Sequence, residues 1–114
     1  MSSTIYVAQS RFQGRGVFSA TNLFCGQTIE ISPVLPIPPT DEDNVCDTFL
    51  DDYVLKWGDG IALGLGCSSL YNHHEHANVG REYNFDNNTI RHFALCDILP
   101  NEELLIKYAC DPWW

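Results

Sequence analysis

Leu70-Tyr71-Asn72-His73-His74-Glu75-His76-Ala77-Asn78 is the stretch on which the fold turns. It sets Asn, three His and a Glu within a few residues, directly after the Gly-rich, Cys-containing run Gly64-Leu65-Gly66-Cys67. A small domain does not need such a cluster for packing. Either it holds a metal ion, or its polar side chains and irregular backbone hold another ligand. His73, His74, His76, Glu75 and Cys67 carry imidazole, carboxylate and thiolate groups of the kinds that bind zinc. Adjacent residues rarely aim at one ion, however, and no distant Cys or His pair completes a familiar zinc spacing. A second polar concentration, Asn101-Glu102-Glu103 followed by Leu104-Leu105-Ile106-Lys107-Tyr108, lies near the C-terminus. The choice depends on whether the two segments form one site.

Around these segments the chain reads as one small globular domain spanning residues 1–114. Its 114 residues suffice for one domain, and 45% of them are hydrophobic, which argues against disorder. No apolar run approaches a membrane span, and Met1-Ser2-Ser3-Thr4 does not open a signal peptide, so an intracellular, soluble protein is expected. Fifteen acids against six Lys and Arg give a net charge of −9. Direct nucleic-acid binding needs a basic footprint and is not expected. An acidic surface instead suits a basic, Lys-rich partner, although it also serves plain solubility. Cys25, Cys46, Cys67, Cys96 and Cys110 are odd in number and form no Cys-x-x-Cys pair, so buried free thiols are expected.

Along the chain, Ile5–Ala8, Val17–Ala20 and Thr28–Ile31 read as strands separated by Gly-containing turns. The four Pro between Ser32 and Pro39 enforce an extended course, and Asp41–Asn44 reads as a solvated loop. The apolar spacing of Phe49, Leu50, Tyr53, Val54 and Trp57 predicts a helix over Thr48–Trp57, capped by Asp47 or Thr48 and ended by Gly58-Asp59-Gly60. Ile61–Leu63 is a short strand, and Cys67–Tyr71 reads as one helical turn. Val79–Phe85 and Thr89–Leu95 form a hairpin about Asp86-Asn87-Asn88, and Leu104–Tyr108 is a last strand. The pattern is mostly β, with small irregular sheets and little helix. Cys67 ahead of His73 lacks the strand–turn–helix setting of a hydrolase nucleophile.

In order, these pieces resemble the SET-domain family of protein lysine methyltransferases. Gly14-Arg15-Gly16-Val17-Phe18-Ser19-Ala20 resembles its Gly-x-Gly-Val-Phe-Ala motif, and Gly26-Gln27-Thr28-Ile29-Glu30 its Gly-x-x-Ile-Glu continuation. Asn72-His73-His74-Glu75-His76-Ala77-Asn78 resembles Asn-His-Ser-x-x-Pro-Asn. Phe93-Ala94-Leu95-Cys96-Asp97-Ile98, then Asn101-Glu102-Glu103-Leu104 to Tyr108, resembles the ending Ala-x-Arg-Asp-Ile-x-x-Gly-Glu-Glu-Leu followed by Tyr. The compact viral and bacterial members are the most similar. His74 stands for Ser, Ala77 for Pro, Cys96 for Arg and Asn101 for Gly, and no Cys-rich zinc segment is expected after the domain.

The resemblance implies several short sheets with one or two short helices and a C-terminal pseudoknot, and no metal. It implies methyl transfer from S-adenosyl-L-methionine to a lysine of a basic protein or tail, histone-like or ribosomal. Gly14, Arg15, Gly16, Asn72, His73, Tyr108 and Trp113 would bind the cofactor. Tyr108 and Tyr53 would be catalytic, with Tyr53, Ile106 and Trp114 facing the substrate lysine. Ile106 cannot hydrogen-bond a blocking water, which favours more than one methyl addition. Such a protein would be cytoplasmic in a bacterium and nuclear in a eukaryotic or virus-infected cell, and so minimal a domain could complete its site as a homodimer. Two other readings use the same residues: a non-catalytic SET module that binds a basic peptide, and a small metal-binding β protein built on the His cluster.

Overall fold

The computed structural model describes residues 4–12 and 14–107. Among them, β1 (Ile5–Gln9), β2 (Arg15–Ser19), β3 (Thr28–Pro36), β4 (Val54–Trp57), β5 (Gly60–Gly64), β6 (Asn72–His73), β7 (Val79–Asn84), β8 (Thr89–Ala94) and β9 (Glu103–Ile106) build two sheets. One has the order β1-β2-β9-β6 and the other β4-β5-β3-β8-β7. The mostly β class expected from the sequence is the one observed. The lone α-helix among the described residues, α1, covers Glu42–Cys46 and is preceded by a 3-10 turn at Pro39–Asp41. Among the described residues no helix is long and apolar enough to cross a membrane.

Strand alternation explains the core. On β9, Leu104 and Ile106 point inward at 0% and 2% exposure, while Glu103 faces the opposite side. They pack with Val17, Leu23, Ile29, Tyr71, Val79, Ala94 and Ile98 between the sheets. Each such aliphatic side chain contributes about 1.5–3 kcal/mol by leaving water. A smaller cluster of Val34, Trp57, Ala62 and Ile90 lies under the far end of the second sheet. Tyr83 and Phe85 pack on Trp57 with ring centroids 5.9 and 4.7 Å away.

The helix expected over Thr48–Trp57 does not form. Thr48 does cap, accepting from the Leu50 N–H at 3.2 Å, but what it caps is a 3-10 turn at Phe49–Asp52. The chain then enters β4, whose residues pair with β5 from Val54↔Leu63 to Trp57↔Gly60. Gly58 takes φ +59°, so Gly58-Asp59 makes a two-residue hairpin turn rather than a helix end. The apolar spacing suits a helix face, but Val54, Leu55 and Trp57 are also good strand residues, and the partner strand decides. Helix appears instead in the acidic stretch expected to be loop. Gly66–Leu70 is turn rather than helix. The described cysteines are free, as expected, but Cys25, Cys46 and Cys96 are exposed rather than buried and Cys67 is half-buried, while Cys110 lies outside the described residues.

Candidate active site

β9 is the hinge of the site, because it joins segments from both halves of the chain. It pairs antiparallel with β2 (Val17↔Leu104, Phe18↔Glu103) and parallel with β6 (Asn72↔Leu105, His73↔Ile106). The motif around Gly16, the Asn72-His73 pair and the C-terminal acids therefore meet on the outer face of one sheet. The Asn72 Nδ2 amide donates to the Arg15 carbonyl at 3.1 Å and to Glu103 Oε2 at 2.9 Å. The other Glu103 oxygen accepts from the Ser10 hydroxyl at 2.8 Å. Gly16 lies close against these groups: a Cβ there would collide with the Glu103 carboxylate, which would have to shift, and stand 3.0 Å from Asn72 Nδ2. Gly14 serves differently, with φ +51° and open space where its Cβ would point, so its backbone is accessible.

Asn78, the last residue of the opening stretch, completes the junction. Its side chain donates to the Glu103 carbonyl at 3.0 Å and accepts from the Leu105 N–H at 2.8 Å, acting as an extra rung on β9. The departures from the family motif have structural uses. The His74 Nδ1 accepts from the His76 N–H at 3.0 Å, a turn-holding bond of the kind a Ser hydroxyl can make. Asn101 sits at φ +69°, a conformation Gly favours and Asn tolerates. A cleft of 590 Å³ opens beside the junction, bordered by Phe12, Phe18, His74, His76, Glu103 and Leu105. Phe12 and His74 rings touch at 5.0 Å, and Arg11 covers Phe12.

Of the expected site residues, Gly14, Arg15, Gly16, Asn72 and His73 come together. Ile106 is in the core and also borders a 370 Å³ cavity with Val79, Gly80, Tyr83 and Leu95. Tyr53 lies elsewhere, ahead of β4, with its ring 5.4 Å from Phe49. Tyr108, Trp113 and Trp114 fall outside the described residues. Among the described residues no group of three or more His, Cys, Asp or Glu is placed to hold a metal ion.

Sequence reasoning missed the roles of Glu103, Ser10 and Asn78. The signal for Glu103 was present: an acid alternating with apolar residues in a short strand points to the face opposite the core. It also missed a polar group beneath the site. The Tyr71 hydroxyl donates to Glu30 Oε1 at 2.9 Å, and the Tyr71 ring lies flat on His92, 4.5 Å away and 7° from parallel. His92 has 0% exposure, and neither ring nitrogen makes a well-formed hydrogen bond. Burial, helped by the Arg81 charge, lowers its pKa to about 3, with the Glu30 main chain opposing. Burial, then the Glu30 charge, raises both the Tyr71 hydroxyl and the Cys67 thiol.

The SET domain model matches residues 14–109 of this chain. A histone-lysine N-methyltransferase of Schizosaccharomyces pombe, specific for H3 lysine 37, is 36% identical over 116 residues, covering 98% of this chain and 78% of the relative. A Plasmodium falciparum protein assigned as a histone methyltransferase has a crystal structure that superposes with a TM-score of 0.78 at 29% identity, with both chains fully covered. The Polycomb Repressive Complex 2 of Chaetomium thermophilum shares the fold at a TM-score of 0.73 and 18% identity, over 96% of this chain and 15% of that one. This chain belongs to the SET-domain family of protein lysine methyltransferases.

Proposed function

We propose that this methyltransferase uses S-adenosyl-L-methionine and acts on a lysine in a basic, histone-like tail. The observation that carries the site assignment is the junction of Arg15, Gly16, Asn72 and Glu103, where a backbone loop with an accessible Gly14 meets an amide fixed from two sides. The donor set suits an amino-acid-like ligand end: main-chain groups of Gly14, Arg15 and Gly16, with the Asn72 amide and His73 beside them. Bound there, the cofactor supplies a methyl group on a sulfonium, which leaves without acid assistance. The chain's own work is therefore to align donor and acceptor and to exclude water.

In this reading Tyr108 would direct its hydroxyl toward the methyl group and Trp113 would cover the cofactor, while Ile106 and Trp114 would line the lysine. An apolar lining such as Ile106 favours the neutral amine, the form that attacks, because desolvation lowers a lysine pKa. The charge distribution supports a basic substrate. Between Arg15 and Lys56 there is no basic residue, while Asp41, Glu42, Asp43, Asp47, Asp51 and Asp52 fall there. A histone H3 tail is the first candidate, since the fission-yeast relative is named for a lysine of H3.

The test is methyl transfer from labelled S-adenosyl-L-methionine to histone H3 and ribosomal proteins, read by mass. Wild-type protein is expected to add methyl groups to lysine, and Tyr108→Phe to reduce the rate at least tenfold, on the order of the loss when an oriented transition-state group is removed. Unchanged transfer by Tyr108→Phe sinks the assignment of Tyr108. No transfer to any basic substrate sinks the substrate reading.

A further inference from the structure

Asn72 carries the hydrogen bonds that join the motifs, yet the strand that presents it is only two residues long. A strand this short does not fix its own direction. Before it, Gly66–Leu70 is turn. Between turn and strand stands Tyr71, at 1% exposure. In extended backbone, neighbouring side chains point to opposite faces. Tyr71 points into the core, so Asn72 points out toward Arg15 and Glu103. The orientation of one dictates that of the other.

Tyr71 is held at both ends of its side chain. Its hydroxyl is bonded to Glu30 on β3, and its ring is stacked on His92 on β8. Glu30, His92 and Arg81 lie in one row across β3, β8 and β7, because Glu30 pairs with His92 and Arg81 with His92. The row belongs to the five-stranded sheet, while Asn72 belongs to the four-stranded one. Tyr71 thus ties the two sheets together at the residue next to the site. Keeping His92 in the core is costly, because two ring nitrogens are buried without well-formed bonds. A leucine would fill the space without that cost. What leucine cannot supply is a flat ring against Tyr71.

We propose that Tyr71, clamped between His92 and Glu30, is the positioning residue of the site: it sets the direction in which Asn72 offers its amide to Arg15 and Glu103, and so the affinity for the cofactor. The inference rests on the cofactor reading of Asn72 given above. It concerns geometry rather than chemistry, since Tyr71 touches neither ligand nor reacting atoms.

The experiment compares wild type with Tyr71→Phe, which keeps the ring and removes the hydroxyl, and with Glu30→Gln, which keeps an acceptor for that hydroxyl. Two readouts are used: the side-chain amide resonance of Asn72 in the cofactor-free protein, and the affinity for S-adenosyl-L-methionine by calorimetry. Tyr71→Phe is expected to shift the Asn72 resonance and weaken binding about tenfold, the scale of one lost buried hydrogen bond. Glu30→Gln is expected to stay within about twofold of wild type, since the bond survives. If Tyr71→Phe lowers the melting temperature while the resonance and the affinity stay at wild-type values, Tyr71 is only a core residue and the inference is overturned. If the resonance moves but cofactor affinity does not, Tyr71 still positions Asn72, and it is the cofactor reading of Asn72 that falls.

Discussion

The Arg15–Asn72–Glu103 junction and the acidic segment from Pro39 to Trp57 are built on opposite terms. At the junction the side chains of Asn72, Glu103 and Asn78 are fixed by atoms far away in sequence: Asn72 by Arg15 and Glu103, Glu103 by Ser10, Asn78 by the main chain of Glu103 and Leu105. In the segment the caps and turns are local. None of its described side chains is buried before Trp57, and Phe49 and Leu50 are 76% and 45% exposed. The junction therefore couples to everything around it, and the segment to little. Substitutions should be severe at the first and mild at the second, unless the segment meets a partner.

The largest effect is expected at Gly16. Gly16→Ala drives a methyl into Glu103 and Asn72. Overpacking of this kind costs about 1–3 kcal/mol, and here it also displaces the proposed cofactor-holding groups. Methyl transfer should fall about a hundredfold or more, beyond the stability loss, since a misplacement of about 1 Å can cost that much. A Gly16→Ala protein with near-normal activity would break the contrast at its stronger end.

Next is the pH dependence set by His92. Its pKa is low in the fold, about 3 against the ordinary 6.5, because burial and Arg81 oppose its charge. As pH falls below 6.5 the unfolded chain takes up the proton and the folded chain does not. Stability from this group is thus constant above that pH and is lost between about 6.5 and 3, at roughly 1.4 kcal/mol per pH unit. His92→Leu should flatten that part of the curve relative to wild type in denaturant unfolding at pH 7, 5 and 4. Parallel curves would show that the proton does not report on this site.

The smallest effects belong to the acidic segment. Phe49→Ala should change stability by no more than about 0.5 kcal/mol, as for other exposed positions. If the segment draws in a basic tail, replacing Asp43 and Asp47 by Asn should raise the KM for a basic peptide severalfold at low salt, and the difference should shrink as salt rises. A difference that persists at high salt would point to a direct contact instead of charge.

The same contrast explains what could be read from the sequence. The motif at Gly14-Arg15-Gly16 and the Asn72 stretch were legible because a glycine packed close against other groups leaves a trace in residue type. The hairpin about Asp86-Asn87-Asn88 was legible for a related reason: Asn88 takes φ +54°, which few residues accept. The Thr48–Trp57 helix was misread because its apolar spacing fits a helix face and a strand alike, and pairing with β5, which the periodicity of the segment does not contain, settled it. Tyr71 and His92 looked like ordinary members of a strand and a turn. Their meaning lies in a stack between sheets that no local window contains.

The most direct test of the whole account is calorimetric titration of S-adenosyl-L-methionine into wild-type protein and Asn72→Ala. The account requires saturable one-site binding by wild type, weakened about tenfold to a hundredfold when the amide is removed and Glu103 is left unpaired on that side. Equal affinity in the two proteins, or no binding to either, would contradict it.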